Sequence, residues 1–381
     1  MPTTYQVTVE PLDPLRFGDS RSARAGLDHF QLDQDPSPVT LHGAVGRFLA
    51  GEDGDWPEEL LGPCERTILD ADPDRVATLC GYAVEDLQGV VWLPKPRHLR
   101  LARSGSGRFR PLELLRPSDE PVATDGGTRR RLLLETEPDK KEHEGDVLVD
   151  AEALAELLAG ELPRDLTHRV RVAGGAADSF YRAEPRPGIA VANATGRVAE
   201  GMFFTRPYRR FRPASAGAAD GRVADGLRLW LRTPGEVPVE KLAGVGYLGG
   251  DRGRARFALR PLAEPPLAEL CERVAAAAGE SAGFLLYLLT PVIAEGGEPD
   301  VAGQRPVAAA LGKPLWVSGW NAVAGGVPRE LSTLVPAGSV WFFDWPPGAD
   351  RAGLVRREWL RAVGRRGSAA GYGRALVGVW R

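Results

Sequence analysis

The end of the chain is written in an order that few folds accommodate: a helical pattern, a glycine loop, then a strand. Gly364-Arg365-Arg366-Gly367-Ser368-Ala369-Ala370-Gly371-Tyr372-Gly373 follows a helix read over 353–363 and runs into the apolar strand 374–380. Glycines let backbone N–H groups approach a phosphate closely, and neighbouring arginines add charge. P-loop and dinucleotide folds set such glycines between a strand and a helix, whose N-terminus holds the phosphate. The reversed order here excludes a mononucleotide enzyme of those classes. Two readings remain. The backbone tracks an RNA chain through Arg365, Arg366, Gly371, Tyr372, Gly373 and Arg374, or the segment is a plain helix-to-strand connection.

Charge narrows the partner. The whole chain of 381 residues carries a net −3, yet residues 351–381 hold eight arginines against one glutamate. Nucleic-acid binding, if present, must therefore come from local patches, and it would be salt-sensitive. The lysines are only Lys95, Lys140, Lys141, Lys241 and Lys313, so nearly all positive charge is arginine, which stacks on bases and forks onto phosphate. A GC-rich genome accounts for that bias equally well. Hydrophobic content of 43% and charged content of 26% are ordinary for a globular chain of two domains. Cys64, Cys80 and Cys271 show no metal-ligand spacing, and their odd number and scatter point to a reducing compartment. The first residues start a strand rather than a signal peptide. The longest apolar stretch, 282–294, is interrupted by Thr290-Pro291. These features predict a soluble, cytoplasmic protein with no membrane partner.

Periodicity predicts the elements. Residues 5–10 alternate as a strand, and Thr40 is expected to cap a helix carrying Leu41, Val45, Phe48 and Leu49 on one face. Polar, glycine-bearing segments at 104–110 and 118–128 are expected to be mobile. The second half alternates strands (227–232, 254–259, 284–289, 314–320, 339–345) with helices (266–278, 353–363), which fits a βαββαβ ferredoxin-like unit with insertions. The first half fits a second, more decorated copy. The Ala/Gly-rich stretch 213–223 is read as the connector, dividing the chain into 1–212 and 213–381.

Further basic sites stand out. Arg16, Arg21 and Arg24 lie in the first long loop beside Asp13, Asp19 and Asp28. His42 and Gly43 are expected at the first helix's N-terminus, where a phosphate can sit. Arg206, Tyr208, Arg209, Arg210, Phe211 and Arg212 put four arginines and no acid into seven residues, a composition suited to single-stranded RNA. Arg252 and Arg254 follow Gly249-Gly250 in a second glycine-arginine turn. Each also has a plain structural reading, as a self-paired loop, a solvated hairpin or a chain reversal. The five histidines, His29, His42, His98, His143 and His168, show no metal spacing, and neither a nucleophile elbow nor a Gly-Lys-Ser/Thr loop is present.

Several stretches, taken in order, resemble one family. They are Glu10-Pro-Leu-Asp13-Pro-Leu-Arg16-Phe-Gly18-Asp19-Ser-Arg21, Pro38-Val-Thr40-Leu-His42-Gly43-Ala44-Val, Arg186-Pro-Gly188-Ile189, Val198-Ala-Glu200-Gly201 and Gly246-Tyr-Leu248-Gly249-Gly250-Asp-Arg252. Leu289-Thr-Pro291, Gly312-Lys313-Pro314, Ser318-Gly319-Trp320-Asn321, Val335-Pro-Ala-Gly338 and the terminal glycine loop complete the series. Together they resemble the third subunit of Cmr-type (type III-B) CRISPR effector complexes, of the RAMP superfamily. Gly46 between Val45 and Arg47, and Ser20 where glycine is common, are departures. The resemblance implies an α+β fold of two ferredoxin-like, RRM-like units. It implies a non-catalytic subunit without cofactor or metal that holds the 5′ tag of the CRISPR RNA. That subunit docks the large polymerase/cyclase-type subunit and a backbone RAMP subunit. Arg16, Arg21 and Arg24 would hold tag phosphates. The alternative is a metal-independent endoribonuclease that processes CRISPR RNA, with His29 or His42 as its acid–base group.

Overall fold

The N-terminal alternation becomes the inside of a sheet because its period of two sends Tyr5, Val7 and Val9 inward and Gln6 and Thr8 outward. A computed structural model describes residues 2–17, 35–51, 68–103, 108–123, 129–135, 147–174, 179–192, 195, 197–213, 224–296, 298–318, 320–321, 327–328 and 330–381. The main strands are β1 (Thr3–Pro11), β2 (Thr78–Glu85), β3 (Val91–Pro94), β4 (Val147–Asp150), β5 (Val170–Val172), β6 (Tyr181–Ala192), β7 (Arg197–Phe211), β8 (Gly226–Thr233), β9 (Ala243–Leu248) and β10 (Gly253–Pro261). They continue with β11 (Gly283–Leu288), β12 (Ala308–Ala310), β13 (Val340–Asp344) and β14 (Ala375–Trp380). The helices are α1 (Pro38–Ala50), α2 (Ala151–Leu158), α3 (Ala268–Ala277) and α4 (Arg351–Glu358). The fold is mixed and strand-rich. No helix among the described residues is long and apolar enough to cross a membrane.

One sheet has the order β9-β10-β1-β8-β2-β3-β4-β5, and a second has β12-β13-β11-β14. Counted in chain order, β10-β1-β8-β2 reads 4-1-3-2. So does β14-β11-β13-β12, and every pair within these two sets is antiparallel. The strands β8 and β10, which follow residue 213, lie on either side of β1. The expected division at 212/213 therefore falls inside a sheet.

Three local expectations change. Ser37, not Thr40, caps α1: its Oγ accepts the Thr40 N–H at 3.3 Å, and Pro38 fills the first helical position, where no N–H is needed. The last helix spans 351–358, not 353–363. Asp350 caps it early by accepting the Gly353 N–H at 2.9 Å, and Leu360, in the left-handed region at φ +59°, turns its N–H to the Ala375 carbonyl. The strand β9 is hidden in the sequence by Gly244 and Gly246, which weaken strand propensity. A Cβ at either would come within 3.1–3.3 Å of the Phe48 ring. The polar segments expected to be mobile overlap the strands Phe109–Leu114 and Arg116–Ala123. The second is nearly all exposed, so it shows no apolar alternation.

The terminal glycine loop is a buried joint, which corrects its reading as an open RNA cradle. Gly371 and Gly373 take φ +99° and +72°, and a Cβ on Gly371 would meet the Leu79 side chain at 2.9 Å. The amides of its last three residues are satisfied inside the protein. Gly371 N–H donates to Ser368 O (3.2 Å), Tyr372 N–H to Gly367 O (3.0 Å), and Gly373 N–H to Pro291 O (2.8 Å). Arg374 N–H donates to Thr290 Oγ1 at 2.9 Å. Tyr372 is buried in a small core with Ile293, Leu334 and Ala370. The Arg374 guanidinium, also buried, donates to the carbonyls of Leu79 (3.1 Å), Leu360 (3.2 Å) and Ser368 (2.7 Å). Leu79 belongs to the first sheet and Thr290 follows β11 of the second, so the loop ties the two together.

Two glycine substitutions separate this role from surface glycines. Gly371→Ala is expected to cost about 1–3 kcal/mol through backbone strain and the Leu79 clash. Gly43→Ala, on the exposed side of α1 with nothing within 4 Å of the new Cβ, is expected to gain up to about 1 kcal/mol. Thermal unfolding of the two variants measures both signs.

Candidate nucleic-acid interface

The hairpin β6–β7 carries the densest basic cluster, and its register sorts the arginines. Glu184 faces Tyr208, Arg186 faces Arg206 and Arg182 faces Arg210 across the ladder. These six share one face, and Tyr181, Arg209 and Phe211 point to the other. The second face packs at the hairpin's base. Leu15 and Arg209 exchange backbone hydrogen bonds of 2.9 and 2.7 Å, and the Tyr181 and Phe211 rings sit 5.9 Å apart.

Arg209 is thereby removed from the interface. It is 4% exposed, its guanidinium lies 4.2 Å over the Tyr181 ring, and it donates to Asp35 at 2.7 Å. Its neighbours stay at the surface but are not unpaired. Arg210 Nε donates to Glu184 Oε2. Arg186 donates to Glu184 Oε1 at 2.7 and 2.9 Å and also stacks 4.7 Å over the Tyr208 ring. Arg212 forks onto buried Asp225. The acids absent from the local sequence arrive from elsewhere in the chain: Asp35 before α1, Glu184 on β6 and Asp225 just before β8.

Asp251 organises the centre. The turn Gly249-Gly250-Asp251-Arg252 holds Asp251 and Arg252 at φ +58° and +53°, conformations that non-glycine residues adopt at a cost. Its carboxylate accepts the Tyr208 hydroxyl at 2.6 Å and the Nη1 groups of Arg16 and Arg206 at 3.3 Å each. Burial pulls the Asp251 carboxyl upward, but the Tyr208 hydrogen bond and the two guanidinium charges outweigh it and hold it below its usual value. The Gly250 N–H closes the turn onto the Arg16 carbonyl at 2.8 Å. Arg254, 60% exposed at its side chain, pairs with Asp13 at 2.9 Å. Arg252 is exposed, with no ion pair among the described residues.

Arg16, Arg206, Tyr208, Arg210, Arg252 and Arg254 thus gather around one turn. His42 does not join them. It lies in the second turn of α1, buried, its Nε2 bonded to the Ala77 carbonyl at 2.8 Å, and burial holds its ring toward the neutral form. The expected phosphate site at His42 and Gly43 is thus a core anchor beside an exposed glycine. Arg365 is exposed and Arg366 half-buried, with Arg366 Nε 4.0 Å from the Asp70 carboxylate, and neither is bonded to the Asp251 turn. Arg21, Arg24 and His29 lie outside the described residues. The sequence reading missed Arg186 and Glu184 as site residues. The hairpin register that places them beside Tyr208 is the signal that finds them.

The basic-aromatic face is carried on a mixed, strand-rich fold. The profile of the family described as CRISPR-associated protein (Cas_Cmr3) matches residues 7–380, and the chain belongs to that family. No curated protein sequence matches it. Among solved structures it is similar to a chain of the type III-B Cmr-beta complex bound to cognate target RNA. The identity is 14%, covering 88% of this chain and 86% of that one, with a TM-score of 0.49. A state of Cmr-beta with target RNA and AMPPnP gives 15% identity, the same coverages and 0.44. A chain of the Csm3–Csm4 subcomplex of the type III-A interference complex gives 10%, covering 90% of this chain and 100% of that one, and 0.37.

The Glu184 carboxylate offers a pH test of the hairpin. The Arg210 hydrogen bond first, then Arg186, depresses its pKa from the usual 4.5 to about 2. A depressed carboxyl contributes stability above its unfolded value and loses it as pH falls through the folded one. Glu184→Gln should therefore melt lower than the native chain above pH 4.5, and the difference should fade as pH falls through about 2. Paired melting curves across that range measure it.

Proposed function

We propose that the chain is a non-catalytic RNA-binding subunit of a type III-B CRISPR effector complex. It holds the 5′ tag of the CRISPR RNA and joins the large polymerase/cyclase-type subunit to a backbone RAMP subunit. The observation that carries the RNA reading is the convergence on Asp251 of Arg16, Arg206 and Tyr208, with Arg186 stacked on the same ring. An aromatic ring flanked by guanidinium planes suits an unstacked base with its phosphates. Membership of the Cas_Cmr3 family supports the tag and the two protein partners. The two 4-1-3-2 strand orders support two ferredoxin-like units, and we place their division after Pro261, where the first sheet ends.

The endoribonuclease alternative loses one of its two histidines, since His42 is sealed in the core and bonded to Ala77. Labelled repeat RNA incubated with the pure chain, with and without magnesium, should remain intact. Discrete cleavage would overturn the non-catalytic reading.

Binding supplies the direct test. Arg206→Ala with Tyr208→Ala should weaken binding of a single-stranded tag RNA by about tenfold or more. Removing one phosphate-binding guanidinium should flatten the plot of log affinity against log salt by about 0.7. Fluorescence anisotropy across salt reads both. An unchanged affinity and slope would remove the hairpin face from the interface.

A further inference from the structure

The first sheet has two faces, and the RNA reading above uses only its edge. One face carries α1: Phe48 stacks on Phe257 with ring centroids 4.9 Å apart and planes 14° apart. The opposite face is uncovered along β9 and β10. There the alternation of β10 exposes Arg254, Arg256, Ala258 and Arg260, and that of β9 exposes Val245 and Tyr247. Tyr247 is 51% and Val245 58% exposed. The ladder sets Tyr247 opposite Arg254, Val245 opposite Arg256, and Ala243 opposite Ala258, which faces Thr8 on β1.

We infer that this open face is a second contact surface for single-stranded RNA, continuous with the Asp251 turn, with Tyr247 as the stacking platform. The inference rests on the RNA-binding reading of the turn and extends it across the sheet. Ala243, Ala258 and Thr8 form a flat, small-residue floor between guanidinium rows. Its two flanking arginines, Arg256 and Arg260, are four residues apart, about 13 Å along the strand. Arg256 is partly neutralised by Glu10 at 2.9 Å. Arg260 meets only the neutral Gln6 side chain at 3.3 Å and no carboxylate among the described residues. An exposed ring on a face lined by exposed guanidinium groups, of which Arg260 has no carboxylate among the described residues, over a floor of small side chains, matches bases and phosphates better than a protein partner.

The probe is a fluorescein-labelled oligouridine of about eight nucleotides, bound to the full chain and followed by anisotropy. Tyr247→Ala should weaken binding about tenfold, and Tyr247→Phe should stay within about twofold, since the ring and not the hydroxyl is used. Arg260→Ala should lower the salt slope by about 0.7. Both positions are exposed, and circular dichroism checks that the variants fold. If Tyr247→Ala and Arg260→Ala bind as the native chain does while Arg206→Ala with Tyr208→Ala binds weakly, the sheet face is overturned and the turn survives. If no variant changes binding, both readings fall. If Tyr247→Ala keeps RNA affinity but loses co-purification with a protein subunit, the face is a protein contact and the inference is overturned.

Discussion

A guanidinium buried without a carboxylate is an unusual thing to build on, and this molecule builds on one. A buried charge normally needs an opposite charge or a full set of hydrogen bonds to offset its missing hydration. Arg374 takes the second course, donating to three backbone carbonyls, one on β2, one after α4 and one in its own loop. Burial pushes it below its usual pKa. The left-handed glycines turn the loop back on itself, which brings its own Ser368 carbonyl to the guanidinium. The Thr290 hydroxyl completes the joint, donating to the Gly371 carbonyl at 2.7 Å and accepting from Arg374 N–H. The two sheets are held against each other by these contacts together with the hydrophobic core that both sheets line.

What the sequence discloses follows from how far apart the partners lie. Local periodicity suffices for β1, for α3 with Leu270, Cys271 and Val274 inward, and for β14, because burial there depends on neighbours two to four residues away. The electrostatics of the hairpin are invisible by the same logic. Arg206 finds Asp251 and Arg254 finds Asp13 across 45 and 241 residues. A run with four arginines and no acid therefore looks bare until the fold delivers the acids. The glycine loop shows a second limit. Glycine and arginine serve a phosphate cradle and a tight internal joint equally well, and only the direction of the amides distinguishes them. His42 is the same case, since a histidine near a helix start reads alike whether it faces solvent or the Ala77 carbonyl.

The candidate site uses arginine differently from the joint. Around Asp251 every guanidinium is partly exposed and either shared with a carboxylate or unpaired, so it can exchange partners when an anion arrives. Asp13, Glu184 and Asp251 keep the arginines ordered and limit their mutual repulsion, so the surface is arranged before a ligand meets it.

These two uses of one residue type divide the molecule by its response to ionic strength. Exposed ion pairs weaken as the Debye length contracts from about 10 Å at 0.1 M to about 3 Å at 1 M salt. A guanidinium enclosed by carbonyls has no mobile counterion to exchange. Concentrated salt therefore dissolves the attraction at the hairpin and the open sheet face while the inter-sheet joint holds. The exposed ion pairing and the architecture are thereby set by different residues.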